Sequence, residues 1–373
     1  MPESPPPPFD RDARPVAAIF RAPLFAPSET FVRAQATGLV RYQPLVLGLE
    51  DGGNIPPVLA GRVLLKGAAG WRAFAGRARP FAPMLVHAHF ATDGVRGLTL
   101  AEALGVPLIT SLRGYDVNLS NAALLRSGRL SWMNYVLRER ALRRRGTLFL
   151  AVSEALRRRA IARGYPAERT RTHYNGVDLQ RFRPGPGGPD TILFVGRLVE
   201  KKGVETLLEA FAIARRDRPE ASLVVIGDGP LRPRLERLAG ESVRFLGAQP
   251  PEAVGEWMRR ATLLAVPSVT ARDGDAEGLP NVVVEAAASA LPVVGTAHSG
   301  IPEAIVEGET GFIIPERDAG ALAARLAAIL GDPDLRARMG AAARAMAERR
   351  FDFVRQMRRL EEIYDQVRAG RCA

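Results

Sequence analysis

Short apolar runs alternate with helical patterns along most of the chain, and this alternation restricts the fold more than any other feature. The pattern is typical of parallel sheets whose strands are joined by crossover helices. We predict strands at residues 16–20, 44–47, 84–87, 107–110 and 148–152, and again at 192–195, 223–226, 243–246, 263–266, 292–294 and 311–314. The helical patterns between and after them include 203–215, 230–238, 318–330, 334–349 and 351–368.

A Gly/Pro-rich run divides the chain, because residues 183–189 cannot continue a helix or a central strand. The 373 residues suffice for two domains, each with its own core. We therefore predict an α/β fold of two doubly wound parallel-sheet domains facing a ligand cleft at the carboxyl ends of both sheets. The predicted organisation is a disordered Pro-rich tail (1–14), an N-terminal domain (15–183), a linker (184–190), a C-terminal domain (191–350) and a terminal helical segment (351–373) that packs on either domain.

The positive charge is concentrated in the first half of the chain. Residues 1–188 hold 27 Lys and Arg against 13 Asp and Glu, whereas the remainder is close to neutral. A basic half implies an anionic partner, which leaves nucleic acid, an acidic lipid surface and a diphosphate-bearing substrate open. Two basic, partly amphipathic stretches, 59–81 and 124–145, suit helices on an anionic membrane surface, or equally core-facing helices with a solvated arginine face.

Cysteine content and hydropathy favour a cytoplasmic protein. Cys372 is the single cysteine, which excludes a disulfide framework or a cysteine-based metal site. No apolar run is long enough to span a bilayer, and residues 1–8 do not resemble a signal peptide. We expect a cytoplasmic location, with peripheral association at the inner face of the plasma membrane left open by the charge.

Two glutamates eight residues apart, Glu277 and Glu285, mark the most informative segment. Pro280 suits the first turn of a helix, so we expect Glu277 in a strand-to-helix loop and Glu285 more than one turn inside the helix. The free N–H groups of that first turn would form an anion site, from Asn281, Val282 and Val283. A phosphorylated ligand with hydroxyls at both ends, such as a nucleotide-sugar, fits this arrangement.

A second segment supplies cations. Arg197 leaves the carboxyl end of the strand at 192–195, and Lys202 precedes the next helix, so both should reach the same ligand. Only Lys66, Lys201 and Lys202 are lysines, which favours a chemical role for the adjacent pair over a solvated surface turn. The glycine turn at 225–230 is weaker evidence for a ligand site, because it is either a purely structural turn or a segment that lies next to the nucleoside.

Together these motifs resemble a known family. Gly-Arg-Leu-x-x-x-Lys-Gly (196–203), Gly-Asp-Gly-Pro (227–230), Phe-Leu-Gly (245–247) and Glu-Gly-x-Pro-Asn (277–281), followed by Glu285, are similar to the retaining glycosyltransferases of the GT-B fold, in glycosyltransferase family 4. Weaker agreement at 27–31, 87–90, 113–116, 175–178 and 272–278 resembles the branch that builds exopolysaccharide, colanic-acid-like polymers or lipopolysaccharide.

The resemblance implies a donor site. Arg197 and Lys202 would bind the donor diphosphate, Glu277 would contact the sugar hydroxyls, and Glu285 the ribose hydroxyls. Arg197, Lys202 and Glu277 are the implied catalytic residues. The remaining donor contacts would come from Gly196, Gly227, Leu246, Gly278, Leu279, Asn281 and Val282.

The N-terminal half departs from the family at one position. Arg113-Gly114 stands where the family has His-Gly, so Arg113 would replace that contact and add a charge. The candidates in this half are Ser28, Glu29, His89, Arg113 and Asp116. His89 could serve in packing or capping as readily as in the reaction. Glu29 could instead be a carboxylate at the start of a helix, since Ser28 resembles an N-cap residue.

No metal or other cofactor is expected. Asp273 and Asp275 have a spacing that could hold a divalent ion. With Arg197 and Lys202 available for the diphosphate, a metal is unnecessary.

The implied function is transfer of a sugar, with retention, from a UDP- or GDP-sugar to a glycan acceptor, lipid-linked, in bacterial surface polysaccharide biosynthesis. The alternatives are a same-fold epimerase or hydrolase, a non-catalytic subunit, and a basic nucleic-acid-binding protein. The last is disfavoured because aromatic residues interleaved with basic ones, which stack on bases, are sparse.

Overall fold

The structure is a computed structural model that describes residues 14–25, 30–53, 55–188 and 190–371. The chain divides into two compact units. Unit 1 comprises Met1–Val152, Arg157–His173 and Met357–Ala373, and unit 2 comprises Ser153–Leu156 and Tyr174–Gln356. The predicted tail, except Arg14, lies outside the described residues, as do Ser28 and Glu29.

Unit 1 contains a parallel sheet. Over the described residues it has seven strands in the order β3-β2-β1-β4-β5-β6-β7. The strands are β1 (Val16–Phe20), β2 (Gln43–Gly48), β3 (Val63–Leu65), β4 (Pro83–His89), β5 (Leu108–Leu112), β6 (Leu148–Ala151) and β7 (Thr170–Thr172). The helices are α1 (Thr30–Thr37), α2 (Trp71–Ala78), α3 (Ala91–Leu104), α4 (Tyr115–Asn118), α5 (Asn121–Arg126), α6 (Leu130–Arg145) and α7 (Glu154–Ala162), which begins in unit 2.

Unit 2 contains a second parallel sheet, whose described strands follow the order β10-β9-β8-β11-β12-β13. They are β8 (Thr191–Val195), β9 (Ser222–Ile226), β10 (Val243–Phe245), β11 (Leu263–Val266), β12 (Val293–Thr296) and β13 (Gly311–Ile314). The helices are α8 (Val204–Ala214), α9 (Arg232–Leu238), α10 (Pro251–Arg260), α11 (Asn281–Ala288), α12 (Ala319–Gly331), α13 (Pro333–Arg350) and α14 (Phe353–Arg368), which ends in unit 1.

Helices cover both faces of the unit 2 sheet, which explains its continuous apolar strands. Side chains alternate along β8: Leu193 joins one buried cluster, whereas Ile192 and Phe194 join another. The first cluster includes residues of α11 and α13, and the second includes residues of α8 and α12. Each fully buried aliphatic side chain contributes roughly 1.5–3 kcal/mol to such a core.

The two parallel sheets confirm the predicted fold class, and every predicted strand has a counterpart. Two short strands, β3 and β7, were not predicted, because three residues carry too little pattern. The prediction of a basic helix over 59–81 is wrong. Gly61 and Gly67 have φ values of 76° and 56°, which interrupt a helix, and the stretch forms a turn, β3 and α2.

The Gly/Pro run differs from the predicted linker, because it lies inside unit 2 and is bonded there. The N–H of Gly187 donates to the carbonyl of Arg259 at 3.1 Å, and Thr262 Oγ1 donates to the carbonyl of Gly188 at 3.1 Å. A Cβ on Gly185 would lie 2.4 Å from the Arg259 carbonyl oxygen. The main segment of unit 2 instead begins at Tyr174, which is before the Gly/Pro run.

The end of α14 belongs to unit 1. The Tyr364 hydroxyl lies 2.7 Å from Nδ1 of His87, and the Tyr42 hydroxyl donates to Asp365 at 2.8 Å. Glu361 accepts the backbone N–H of Val40 at 2.8 Å. Across the described parts of the chain, no helix is both long and apolar enough to cross a membrane.

Candidate active site

The loop between β11 and α11 carries Glu277, and the helix itself carries Glu285, as the sequence predicts. α11 begins at Asn281, so Pro280 occupies the N-cap position and precedes the first helical turn. The three N–H groups predicted to be free are not all available. Val283 donates its N–H to the carbonyl of Pro280 at 3.1 Å, because the first turn closes tightly on the proline.

Glu277 is buried between two lysines. Its Oε1 lies 3.1 Å from Nζ of Lys202 and 3.8 Å from Nζ of Lys201. Lys201 also pairs with Asp275 at 3.1 Å. Burial by itself raises the pKa of Glu277, but the two ammonium groups outweigh it, so this pKa lies below its ordinary value. Glu277 is therefore a fixed anion.

A buried histidine holds the backbone at Glu277. The Glu277 N–H donates to His298 Nε2 at 3.1 Å, and His298 Nδ1 lies 2.6 Å from Oε1 of Glu316. Since Nε2 accepts, the proton is on Nδ1 and is donated to Glu316. Ser299 Oγ donates to the Glu277 carbonyl at 2.6 Å, so both sides of this residue are held.

Sequence reasoning singled out the adjacent lysines but assigned only Lys202 to the site, and it missed His298 and Glu316. A signal was present for His298, because it lies just after β12, whose neighbour β11 leads into the Glu277 loop. Polar residues at the carboxyl ends of adjacent parallel strands meet at one edge of the sheet.

Gly196 and Gly227 bring the ends of β8 and β9 together. A Cβ on Gly227 would lie 1.9 Å from the Gly196 carbonyl oxygen, and φ at Gly227 is 136°. The Gly227 N–H also donates to the carbonyl of Gly247 at 2.8 Å, beside the half-buried Leu246. The Lys202 side chain passes Gly196. The predicted residues Gly196, Lys202, Gly227, Leu246 and Glu277 therefore share the carboxyl edge of this sheet.

Arg197 follows Gly196, but its side chain is exposed and makes no hydrogen bond or ion pair with any described residue.

The predicted residues around the start of α11 are largely occupied by contacts within the protein. Asn281 Oδ1 accepts a hydrogen bond from Asn175 Nδ2 at 2.9 Å. The side chains of Leu279 and Val282 are buried in the core, which leaves only their backbone for a ligand. Gly278 uses its carbonyl to accept the Gly300 N–H at 2.9 Å.

Glu285 is half-buried on α11, and within the described residues its carboxylate has no hydrogen-bonding or ionic partner. Burial raises its pKa to about 7, and the positive charge of Arg181 offsets this rise only partly. A partly buried carboxyl group without a partner favours binding of hydroxyl donors.

In unit 1 the structure brings together His89, Arg113 and Asp116. Arg113 Nη2 donates to His89 Nδ1 at 3.0 Å, and the guanidinium lies 3.8 Å from the centre of the Phe31 ring. Burial, followed by the charges of His87 and Arg113, lowers the pKa of His89 well below its ordinary value. His89 is therefore neutral, and its proton is on Nε2.

The candidate residue Asp116 binds backbone amides of unit 1. Its carboxylate is fully buried and accepts backbone N–H groups from Ala91 at 2.8 Å and from Gly114 at 2.9 Å. These amides belong to the starts of α3 and α4, so Asp116 connects two loops of unit 1.

One member of the predicted aspartate pair, Asp275, lies beside the lysines. Asp275 forms an ion pair with Lys201, and the Asp273 carboxylate accepts a hydrogen bond from the backbone N–H of Asp275 at 2.9 Å. Over the part of the chain that the structure describes, no three His, Cys, Asp or Glu residues form a group suited to a metal ion.

Comparison with known proteins identifies the family. The model of Glycosyltransferase Family 4 matches residues 30–181, and that of Glycosyl transferases group 1 matches residues 178–346. AmsK of Erwinia amylovora, an amylovoran biosynthesis glycosyltransferase, is 32% identical over 305 residues, which cover 79% of this chain and 72% of AmsK. The chain belongs to glycosyltransferase family 4.

A second family relative is WcaL of Salmonella typhimurium, named for colanic acid biosynthesis. It is 35% identical over 261 residues, covering 67% of this chain and 62% of WcaL, so the match spans less than two thirds of that relative. The crystal structure of HepE from Anabaena, in complex with UDP, has a TM-score of 0.76 at 21% identity and covers 94% of this chain and 100% of HepE. The two Rossmann-like domains thus confirm the GT-B fold, and the two named relatives confirm the resemblance to the exopolysaccharide branch.

Proposed function

We propose that this chain transfers a sugar from a nucleoside-diphosphate-sugar to a glycan acceptor in the assembly of a bacterial surface polysaccharide. The observation that carries the proposal is the position of Glu277. It is an anion held between Lys201 and Lys202 at the edge of the unit 2 sheet, directly before the start of α11. The names of AmsK and WcaL support the polysaccharide context.

The donor diphosphate would bind at the start of α11 and beside Lys202. A helix N-terminus favours an anion, and Lys202 supplies a mobile positive charge. The exposed guanidinium of Arg197 makes no competing contact with described residues, so it is available for bidentate binding of phosphate oxygens.

Two carboxylates would bind the two ends of the donor. Glu277 would accept hydroxyl hydrogens of the transferred sugar, while Glu285 would accept those of the ribose. Glu285 suits this role because it is half-buried and unpartnered among the described residues. A UDP-sugar and a GDP-sugar share these features, and the UDP bound by HepE makes the UDP-sugar the first donor to test.

In the transfer step, the acceptor hydroxyl oxygen forms a bond to the anomeric carbon while the bond from that carbon to the phosphate oxygen breaks. The nucleoside diphosphate leaves with the electron pair. Lys202 and Arg197 stabilise its developing charge. A phosphate oxygen takes the acceptor proton on the same face, so the anomeric configuration is retained. A lipid-linked glycan is the proposed acceptor.

The test combines a donor panel with a lipid-linked acceptor. UDP- and GDP-sugars are incubated with the purified chain, and the product is analysed for sugar attached to the acceptor and for its anomeric configuration. Lys202→Ala and Glu277→Ala should abolish transfer, whereas Lys66→Ala, at a half-buried position of unit 1, and Glu309→Ala, on an exposed turn of unit 2, should retain it. Release of free sugar, or an epimerised donor, would instead indicate a hydrolase or an epimerase.

A further inference from the structure

Helix α6 of unit 1 exposes large apolar side chains. Leu130, Met133 and Leu137 are 79%, 37% and 80% exposed. Their spacing of three and four residues places them along one face of the helix. The opposite face contributes the buried residues Tyr135 and Leu142, so α6 is apolar on its outer side as well as its inner side. The outer face of a helix on a soluble domain is normally polar.

The same face continues into arginines. Arg140 and Arg144 follow Leu137 at the same helical spacing, and both are exposed. We call the set Leu130, Met133, Leu137, Arg140 and Arg144 the α6 surface. Two further exposed arginines, Arg126 and Arg129, stand just before the helix.

None of these four arginines pairs with an acidic residue within the described part of the chain. The acidic side chains near them are already occupied. Glu139 is buried and pairs with Arg163 at 2.6 Å, and Glu102 pairs with Arg145. The surface therefore combines unpartnered positive charge with exposed apolar area.

An aromatic residue borders the surface. Trp132 stacks on Tyr115 with ring centres 5.3 Å apart, and the guanidinium of Arg129 lies 4.8 Å from the Trp132 ring centre. Tryptophan and arginine are both favoured where lipid headgroups meet the hydrocarbon region.

We propose that the α6 surface docks on an anionic lipid bilayer. Leu130, Met133 and Leu137 would enter the boundary between headgroups and acyl chains, while Arg140 and Arg144 bind lipid phosphates. Apolar insertion and electrostatic attraction are each weak alone, and together they give a stable peripheral association. This inference goes beyond the proposed transfer reaction and does not depend on it.

Charge favours a bilayer over a second copy of the chain. The α6 surface itself carries no carboxylate, so a symmetric contact with a second copy would leave Arg140 and Arg144 without acidic partners, whereas an anionic bilayer supplies phosphates. The excess of basic residues across 1–188 adds long-range attraction to an anionic surface.

The test measures sedimentation of the full chain with vesicles of phosphatidylcholine alone or mixed with phosphatidylglycerol. We expect binding to the mixed vesicles only, weakened by salt. Leu130→Ser/Leu137→Ser and Arg140→Glu/Arg144→Glu should each lower the vesicle partition coefficient by more than about tenfold. The matched control is Arg237→Glu/Leu238→Ser, on exposed positions of unit 2, which should bind like the wild type.

Equal binding of the wild type and both α6 variants would overturn the proposal, as would no binding by the wild type. Sedimentation velocity without vesicles tests whether the α6 surface is a dimer interface. A dimer that the α6 variants convert to monomer would show that this face binds a second copy of the chain, which would overturn the proposal. Thermal unfolding and the thermal shift caused by UDP or GDP verify that the variants fold. A wild type that binds vesicles but transfers no sugar would count against the proposed function alone.

Discussion

The backbone N–H of Glu277 donates to Nε2 of the buried His298 at 3.1 Å. The opposite nitrogen of that ring is held by Glu316, which also accepts the Thr270 N–H at 2.9 Å. The proposed sugar-binding residue is thus positioned by the segment after β12, in addition to its ion pairs with the lysines.

His298→Ala should lower kcat/KM by about tenfold or more, because Glu277 loses the contact that fixes its backbone. The unsatisfied N–H should also reduce the free energy of unfolding by about 1–3 kcal/mol. His298→Gln offers an acceptor oxygen near the same place and should recover most of the activity. Steady-state kinetics and denaturant unfolding of both variants measure this. Equal loss of activity in the two variants would contradict a positioning role.

Glu277→Gln should lower kcat by about a hundredfold while the fold persists, because a neutral amide cannot balance Lys201 and Lys202. The loss of charge leaves two partly buried ammonium groups, of which Lys201 keeps its ion pair with Asp275. Kinetics at saturating donor, with thermal unfolding in parallel, measure the effect. Glu309→Gln, on an exposed turn, is the matched control, and an unchanged kcat for Glu277→Gln would remove this residue from the reaction.

Glu285 predicts a pH dependence of stability. Its pKa is raised in the folded protein from 4.5 to about 7, so the folded state holds the proton more tightly than the unfolded chain. Ionisation of Glu285 therefore lowers the free energy of unfolding. This loss of stability is absent below the pKa of 4.5 that the unfolded chain has, grows as the pH rises to about 7, and is constant above that pH. Glu285→Gln should therefore stabilise the protein above that range, by about 3 kcal/mol at most, and have no effect in acid. Unfolding free energies measured across pH test the sign.

Donor binding should become stronger as the pH rises, whereas the stability of the protein decreases. Only the ionised Glu285 accepts hydrogen bonds from both ribose hydroxyls, so the wild-type Kd for the donor should increase as the pH falls below about 7. Glu285→Gln should bind more weakly at high pH and with less pH dependence. Calorimetric titration at several pH values gives the comparison, and parallel curves for the two proteins would argue against the ribose contact.

Gly227→Ala should disrupt the edge of the unit 2 sheet. The new Cβ would lie 1.9 Å from the Gly196 carbonyl oxygen, and a φ of 136° strains any L side chain. We expect a loss of more than about 2 kcal/mol in unfolding free energy and weaker donor binding. At Gly240 an added Cβ meets nothing within 4 Å, so Gly240→Ala is the control. A Gly227→Ala protein of native stability would show that this close approach is not required.

Local patterns were sufficient for much of the fold. β11 and β12 are short apolar runs buried along their whole length, and such runs are recognisable without a partner. The loop position of Glu277 and the helical position of Glu285 also followed from local chemistry, since a proline marks the start of α11. By contrast, β3 lies in a basic stretch, and its pairing with β2 is a long-range interaction that composition does not encode.

The sequence by itself determined the two parallel sheets, the family and the segments that carry the proposed donor site, because apolar periodicity and motif spacing are local properties. The tertiary structure alone decided which side chains meet. His298 became the support of Glu277 because β12 lies beside β11, while Asp116 became a link between α3 and α4 because their backbone amides surround it. Such contacts join residues far apart in the chain, and their energies depend on burial and direction, which exist only once the sheets have formed.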